Sequence, residues 1–211
     1  MTPHNVDPSY VSEVEPDNFR VKFSAEGYEY VWSLAKARVQ AKIDNGAFNR
    51  RFTRGVSEAD AIAKAQADYY SSIQGEAAFA VLYDLPLDWH TLTHGDPGWD
   101  FKTANDMRFD VKTTTYPTGV LNLHNQEYIN TISVKTWVKK LALVLAIRPV
   151  DASKGRTWIR EQWISIAGWL PWVTAVEKAV HGEKGGSPMI YVEQKELWKP
   201  SDLKGVIGVT E

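Results

Sequence analysis

The chain contains no cysteine. That absence excludes a disulfide framework, a thiolate zinc site, a cysteine-bound iron–sulfur cluster and a cysteine nucleophile together. No apolar run approaches the roughly 20 residues needed to span a bilayer; the longest, residues 141–147, suits a buried strand. No membrane association is therefore expected. There is no Walker A or dinucleotide-binding glycine pattern, which argues against an ATP-driven motor. Residues 1–17 contain no Lys or Arg ahead of an apolar stretch, so no secretory leader is expected and a cytoplasmic protein is the default. Internal repeats and low-complexity tracts are also missing.

What is present is an ordinary globular composition. The 211 residues are 44% hydrophobic and 24% charged, which suits one compact domain with at most a small appendage. The formal net charge of −2 averages unlike regions. Residues 1–17 hold four acids and no basic residue; residues 35–55 hold six basic residues against Asp44; residues 131–160 hold seven against Asp151. Local positive surface on a near-neutral chain is compatible with a polyanionic ligand, and equally with solvated helix and loop faces.

Residues 1–19 carry Pro3, Pro8 and Pro16 among polar residues and read as a flexible acidic arm, followed by one domain over residues 20–211. The spacing of Tyr28, Val31, Trp32, Leu34, Ala35 and Val39 predicts a helix over residues 24–43. Ser57 offers an N-cap to an Ala-rich helix through Tyr70, and Gly75 is expected to separate it from a second helix beginning at Glu76. The period then changes. Short strands are expected over 99–103 and 107–114, a buried strand over 141–147, another over 158–166, a helix over 173–181 and a last strand over 189–192. Helices first and a mixed sheet after them indicate an α/β or α+β fold.

The stretch from Met107 to Thr114 is the most informative chemically. Strand alternation puts Met107, Phe109 and Val111 on one face, and Arg108, Asp110, Lys112 and Thr114 on the other. A half-exposed strand with neighbouring opposite charges explains this pattern as well as a site does. In the preceding strand Trp99 and Phe101 are expected on the apolar side, with Asp100 and Lys102 on the polar side. Paired as a hairpin, the two strands bring Asp100 and Asp110 to one edge beside Lys112. Two carboxylates there suit a hard divalent cation such as Mg²⁺; without one they repel, and one tends to hold a proton. Glu76 supplies a third carboxylate, which by itself reads as a favourable charge at a helix N-terminus.

Gly75-Glu76, Gly98-Trp99-Asp100 and Asp110-Val111-Lys112-Thr113-Thr114, in that order, resemble the PD-(D/E)XK nuclease superfamily, most nearly its phage and prophage DNases. The resemblance covers roughly residues 24–205 and departs from the name motif in having Trp99 where a proline precedes the first aspartate. It implies a restriction-endonuclease-like αβββαβ core, a mixed central sheet flanked by helices, here with an N-terminal helical extension. It also implies metal-dependent hydrolysis of DNA phosphodiester bonds, with Mg²⁺ as cofactor and Mn²⁺ as a substitute. Asp100, Asp110 and the Val111 carbonyl would be ligands, and Glu76 would bind a second ion or a water. Lys112 would orient the attacking water and offset charge on the scissile phosphate. Thr114 would bond a phosphate oxygen or simply finish the strand. The expected partner is DNA, with a homo-oligomer as an option, and the setting is the host cytoplasm if the chain is phage-encoded. The runner-up activity is site-specific restriction, with residues 115–140 as a recognition insertion; a reading of another class is a non-catalytic nucleic-acid-binding protein of the same fold.

Other features carry less. His90 and His94 have a metal-like separation but no further ligands to complete a zinc set. His124-Asn125 reads as loop packing. Among nine tryptophans, Trp163 and Trp169 are expected in the core, and Trp137 and Trp172 as exposed contacts. Arg50, Arg51 and Arg54, in a Gly-bounded loop before the helix that delivers Glu76, are expected to grip backbone phosphates. Replacing all three with alanine should flatten the slope of log K for DNA against log salt by roughly 2–3 units. A titration across salt concentrations checks this; an unchanged slope makes the loop an ordinary solvated surface.

Overall fold

A computed structural model describes residues 6–46, 48, 56–87, 98–149, 162–184 and 187–208. The fold is mixed α+β, a six-stranded sheet with helices on both faces and a small second sheet on one of them. Helix α1 (Ala25–Asp44) starts where the Ser24 hydroxyl accepts the Gly27 N–H at 3.1 Å. Its buried stripe, Tyr28, Val31, Leu34, Ala35 and Val39, follows the helical period. Helix α2 (Glu58–Leu82) is capped in the same way, Ser57 accepting from Asp60 at 3.1 Å.

Helix α2 does not break at Gly75. It runs through as one 25-residue helix, so Glu76 lies well inside it and not at an N-terminus. The reason is packing. Residues 73–80 are buried on every side, and a Cβ at position 75 would sit 2.0 Å from Thr113 Oγ1 and 3.0 Å from the Ala146 Cβ. Glycine is there because the sheet comes so close, not because the helix ends.

The large sheet has the order β1-β2-β7-β6-β4-β3, built from β1 (Val11–Glu15), β2 (Arg20–Phe23), β3 (Phe101–Lys102), β4 (Arg108–Thr114), β6 (Leu141–Ile147) and β7 (Ile164–Pro171). All neighbours are antiparallel except β4 and β6, whose parallel register runs from Arg108↔Leu141 to Thr114↔Ile147. A parallel pair needs a crossover. Here the crossover carries β5 (Leu121–Asn122) and α3 (Gln126–Ser133), a helix the sequence reading lacked. Its signals are ordinary: Asn125 caps it by accepting from Tyr128 N–H at 2.8 Å, and Ile129 and Ile132 form the buried face.

Alternation along the central strands divides the core. Phe109, Val111, Ala142, Val144 and Ala146 face α1 and α2. Leu141, Leu143, Leu145 and Leu170 face α3, α4 (Trp172–Lys178) and the small sheet β5-β9-β8, made with β8 (Val180–Lys184) and β9 (Ser187–Val192). The chain from residue 180 is a strand, where the helix had been expected to reach residue 181. The short helix α5 (Leu203–Ile207) returns to the first core through Leu203 and Ile207.

Residues 6–19 are built into this architecture instead of extending from it as an arm. Val6 is buried in the core, β1 forms the sheet edge, and Ser24 N–H donates to Tyr10 O at 2.9 Å. The tryptophans also differ from expectation. Trp172 is 2% exposed, its Nε1–H donating to Ser133 Oγ at 3.1 Å; Trp137 packs edge-to-face on Trp99 with centroids 4.9 Å apart. Trp169 is buried as expected. Trp163 lies beneath the Arg20 guanidinium, 4.4 Å from its ring centroid. Among the described residues no helix is long and apolar enough to cross a membrane.

Gly75→Ala should lower stability by about 1–3 kcal/mol, the usual cost of overpacking. At an open helix site the same change would stabilise by about 1 kcal/mol, so the sign read by urea unfolding decides whether α2 can move off the sheet.

Candidate functional site

Strand β3 is two residues long, pairing Phe101 with Phe109 and Lys102 with Arg108. The ladder continues one step further without being a strand: Asp100 N–H donates to Phe109 O at 2.8 Å. Beyond that the partner chain ends, and the next outward-facing donor on β4 is Val111 N–H. The Asp100 carboxylate takes it, accepting at Oδ2 over 2.6 Å. A side-chain oxygen stands in for a backbone carbonyl, because a strand amide at a protein edge needs an acceptor. Within one strand residue the N–H and C=O point the same way, so the Val111 carbonyl faces this same edge.

On the sheet face opposite α2, Asp110 and Lys112 lie side by side as the alternation predicts. Lys112 Nζ sits 2.8 Å from Asp110 Oδ2, which is buried and receives no well-aligned hydrogen bond. Glu76 approaches from the α2 face. Ser72 Oγ donates to its Oε1 at 2.9 Å, and Arg38 Nη1 lies 3.5 Å from its Oε2. Asp100, at the edge between the two faces, feels both groups. Part of Asp100 remains exposed, but its carboxylate is turned inward onto the strand. Burial, then the charge of Glu76, then that of Asp110 push this carboxyl well above the usual aspartate range; Lys112 and the Val111 N–H oppose the rise but do not cancel it. For Lys112 burial works downward, and Asp110, Tyr128 and Asp100 outweigh it, so the ammonium is held above its ordinary value and stays protonated.

Asp100, Asp110, Val111 and Lys112 are thus brought together. Glu76 is an electrostatic neighbour of this group: among the described residues no three His, Cys, Asp or Glu side chains converge closely enough to ligate one ion. The donor set that fits a hard cation is the Asp100 and Asp110 carboxylates with the Val111 carbonyl. That is sufficient in kind, since Mg²⁺ is commonly bound through one or two carboxylates together with waters and substrate phosphates. Thr114 ends β4; its hydroxyl accepts from Tyr116 N–H at 3.3 Å and packs against Gly119. Arg50, Arg51 and Arg54 lie outside the described residues, as do His90 and His94. His124 packs edge-to-face on Tyr128, as loop packing requires.

Trp99 and Phe101 do not share a side. The strand begins only at Phe101, which enters the α1/α2 core, while Trp99 packs toward the opposite core beside Trp137. Sequence reasoning also missed the groups that hold the site. Arg38 is 38 residues from Glu76 and reads as one more charge on an exposed helix, and Ser72 gives no signal beyond its i,i+4 spacing. A cationic cluster adjoins the site as well. Lys102, Arg108 and Lys140 converge on Asp106 at 3.0, 3.1 and 3.2 Å, and Arg108 stacks over Trp99 with 4.7 Å to the ring centroid. Three cations on one carboxylate leave a positive surface one strand step from Asp110.

No protein-family model, curated protein or solved structure matches the chain.

The raised Asp100 carboxyl has a defined effect on stability. Between the ordinary aspartate value and the higher folded one, the unfolded chain has released a proton that the fold retains, so stability falls as pH rises through that window. Asp100→Asn should remove this slope and raise the melting temperature around neutral pH, with little gain in acid, where the wild-type carboxyl is protonated in both states. Glu76→Gln should shrink the slope by removing one of the charges behind it. Melting curves across pH check both; a wild-type slope surviving in Asp100→Asn would place its origin elsewhere.

Proposed function

We propose that the chain is a Mg²⁺-dependent nuclease that hydrolyses DNA phosphodiester bonds, with Mn²⁺ able to substitute, acting in the DNA processing or degradation of a phage. The observation that carries this reading is the charge balance at the sheet edge. Three carboxylates, Glu76, Asp100 and Asp110, face two cations, Arg38 and Lys112, and the imbalance falls on the inward-turned carboxyl of Asp100. A proton relieves it, and so does a divalent cation. The order of elements supports the same reading in part: helix α2, the antiparallel pair β3–β4, a crossover containing α3, and β6 parallel to β4 follow the αβββαβ order expected from the resemblance, with one central-sheet strand fewer between the two helices among the described residues.

Each residue then has a physical task. Asp100 and Asp110, with the Val111 carbonyl, hold the cation. When bound, the cation offsets charge at the phosphoryl group and makes water a better nucleophile. Lys112 offsets charge on the scissile phosphate and orients the attacking water by donating hydrogen bonds. Glu76, held by Ser72 and Arg38, adds negative potential that favours the cation over the proton at Asp100. The basic groups around Asp106 lie where the backbone of a polyanion would continue past the site.

Linear, nicked and closed circular DNA, incubated with Mg²⁺ or with EDTA, provide the test. Cleavage should need the metal, and loss of linear but not closed circular DNA would identify an exonuclease, whereas discrete bands would identify restriction. Asp110→Asn should nearly abolish cleavage while DNA binding persists. Lys112→Ala should slow it about 10²–10⁴-fold, the usual loss for a transition-state charge stabiliser. Full activity in either purified variant would remove the basis of the proposal.

A further inference from the structure

Seven buried side-chain polar atoms in the described residues lack a hydrogen-bond partner, and five of them belong to just three residues: Arg148, Gln74 and Gln162. Arg148 follows β6 directly, and its backbone N–H donates to Thr114 O at 2.8 Å, which fixes it at the C-terminal end of the parallel β4–β6 pair. Alternation from Ala142, Val144 and Ala146 directs its side chain to the α1/α2 face. There it is 1% exposed, Nη1 bonds Ser71 Oγ at 2.5 Å, and the guanidinium lies 5.0 Å over the Tyr70 ring. Gln74, also fully buried, follows Tyr70 and Ser71 by four and three residues and so shares their helix face. Gln162 reaches the same region through Tyr28, whose hydroxyl donates to the Gln162 carbonyl at 3.1 Å.

Arg148 differs from the other described arginines. Arg20 pairs with Glu15, Arg38 with Glu76 and Arg108 with Asp106. The groups facing Arg148 are Ser71, Tyr70 and Tyr28, with no carboxylate paired to it among the described residues. A guanidinium taken out of water without a counter-charge is strongly destabilising, and burial accordingly pulls its pKa down to about 10. The two nitrogens without partners, Nε and Nη2, form the side-on fork by which arginine grips an oxyanion through two parallel hydrogen bonds. The Gln74 amide adds a further donor on the same side of the helix.

We propose that Arg148 and Gln74 form a binding site for a phosphate-class oxyanion, distinct from the Asp100–Asp110–Lys112 cluster and on the other face of the sheet. The site does not rest on the nuclease reading: it follows from a buried cation with two unpaired nitrogens and no carboxylate beside it among the described residues, whatever chemistry the carboxylates of the other face perform. The anion is either free phosphate or the terminal phosphate of a nucleic acid strand, two sources with the same recognition chemistry.

The test is thermal unfolding of the full chain in sodium phosphate against sodium chloride at matched ionic strength. Saturating phosphate should raise the wild-type melting temperature by about 2–4 °C, the response of a chain this size to a modest-affinity ligand. Arg148→Met should melt higher than wild type without phosphate, since an apolar side chain of similar length replaces an uncompensated charge, and should lose the phosphate response. Arg148→Lys, which keeps the charge but not the fork, should weaken the response, and it keeps the proposal testable if the Met variant does not fold. Oligonucleotides with a 5′-phosphate or a 5′-hydroxyl separate the sources. An added shift from the phosphorylated strand alone points to a strand end, and a response to inorganic phosphate alone points to the free ion. A wild type that responds to neither would mean that water satisfies the free guanidinium and amide groups, and would overturn the proposal. A phosphate response that persists in Arg148→Met, or a Met variant that folds but melts lower than wild type without phosphate, would overturn it equally.

Discussion

The close approach of α2 to the central sheet governs the arrangement of everything else. Over residues 73–80 the helix is buried on all sides, and Gly75, Ala77, Ala78 and Ala80, half of that stretch, let its neighbours approach closely. Gly75 lets Thr113 and Ala146 come within contact of the helix backbone, while Phe79 fills the space further along against Phe101 and Phe109. This places Glu76, the next residue after the contact, beside the β4 edge.

The second determinant is the brevity of β3. A two-residue strand leaves Val111 N–H facing outward with no backbone acceptor, and Asp100 supplies one at 2.6 Å. The hydrogen bond immobilises a carboxylate in a position where it loses water and meets two like charges. Stability and chemistry are therefore opposed at this residue. The fold stores an unfavourable interaction at Asp100, and a proton or a cation relieves it. Arg148 presents the mirror case on the other face, a buried cation with no paired carboxylate among the described residues. Both groups have charge that the protein itself leaves incompletely balanced, whereas the surface ion pairs Lys22–Glu13 and Lys64–Asp68 are exposed and contribute little.

Much of the architecture can be read without coordinates. The apolar spacing from Tyr28 to Val39, the cap at Ser57, the seven-residue apolar run at 141–147 and the two-residue period from Met107 to Thr114 are local signals, and each element forms where those signals lie. The pairing of Asp110 with Lys112 is local for the same reason, since residues two apart in a strand must share a face. Where a signal could arise in two ways, the local reading failed. Gly75 is equally a helix break and a close-contact site, and only the position of Thr113 distinguishes them. Tryptophan near a chain turn is equally a surface contact and a core residue, and Trp172 is buried because α3 provides Ser133 and Tyr128 to cover it.

What the sequence alone determined, then, is helix α1, the start of α2, the central strands β4 and β6 and the carboxylate–lysine pair on β4, because these depend on interactions a few residues apart. The tertiary structure decided which charges meet: Glu76 with Arg38, Asp100 with Val111, Asp106 with three cations, and Arg148 with no carboxylate among the described residues. Coulombic and desolvation effects depend on distance in space and on the solvent each group has lost, and neither quantity has a periodicity that can be read along the chain.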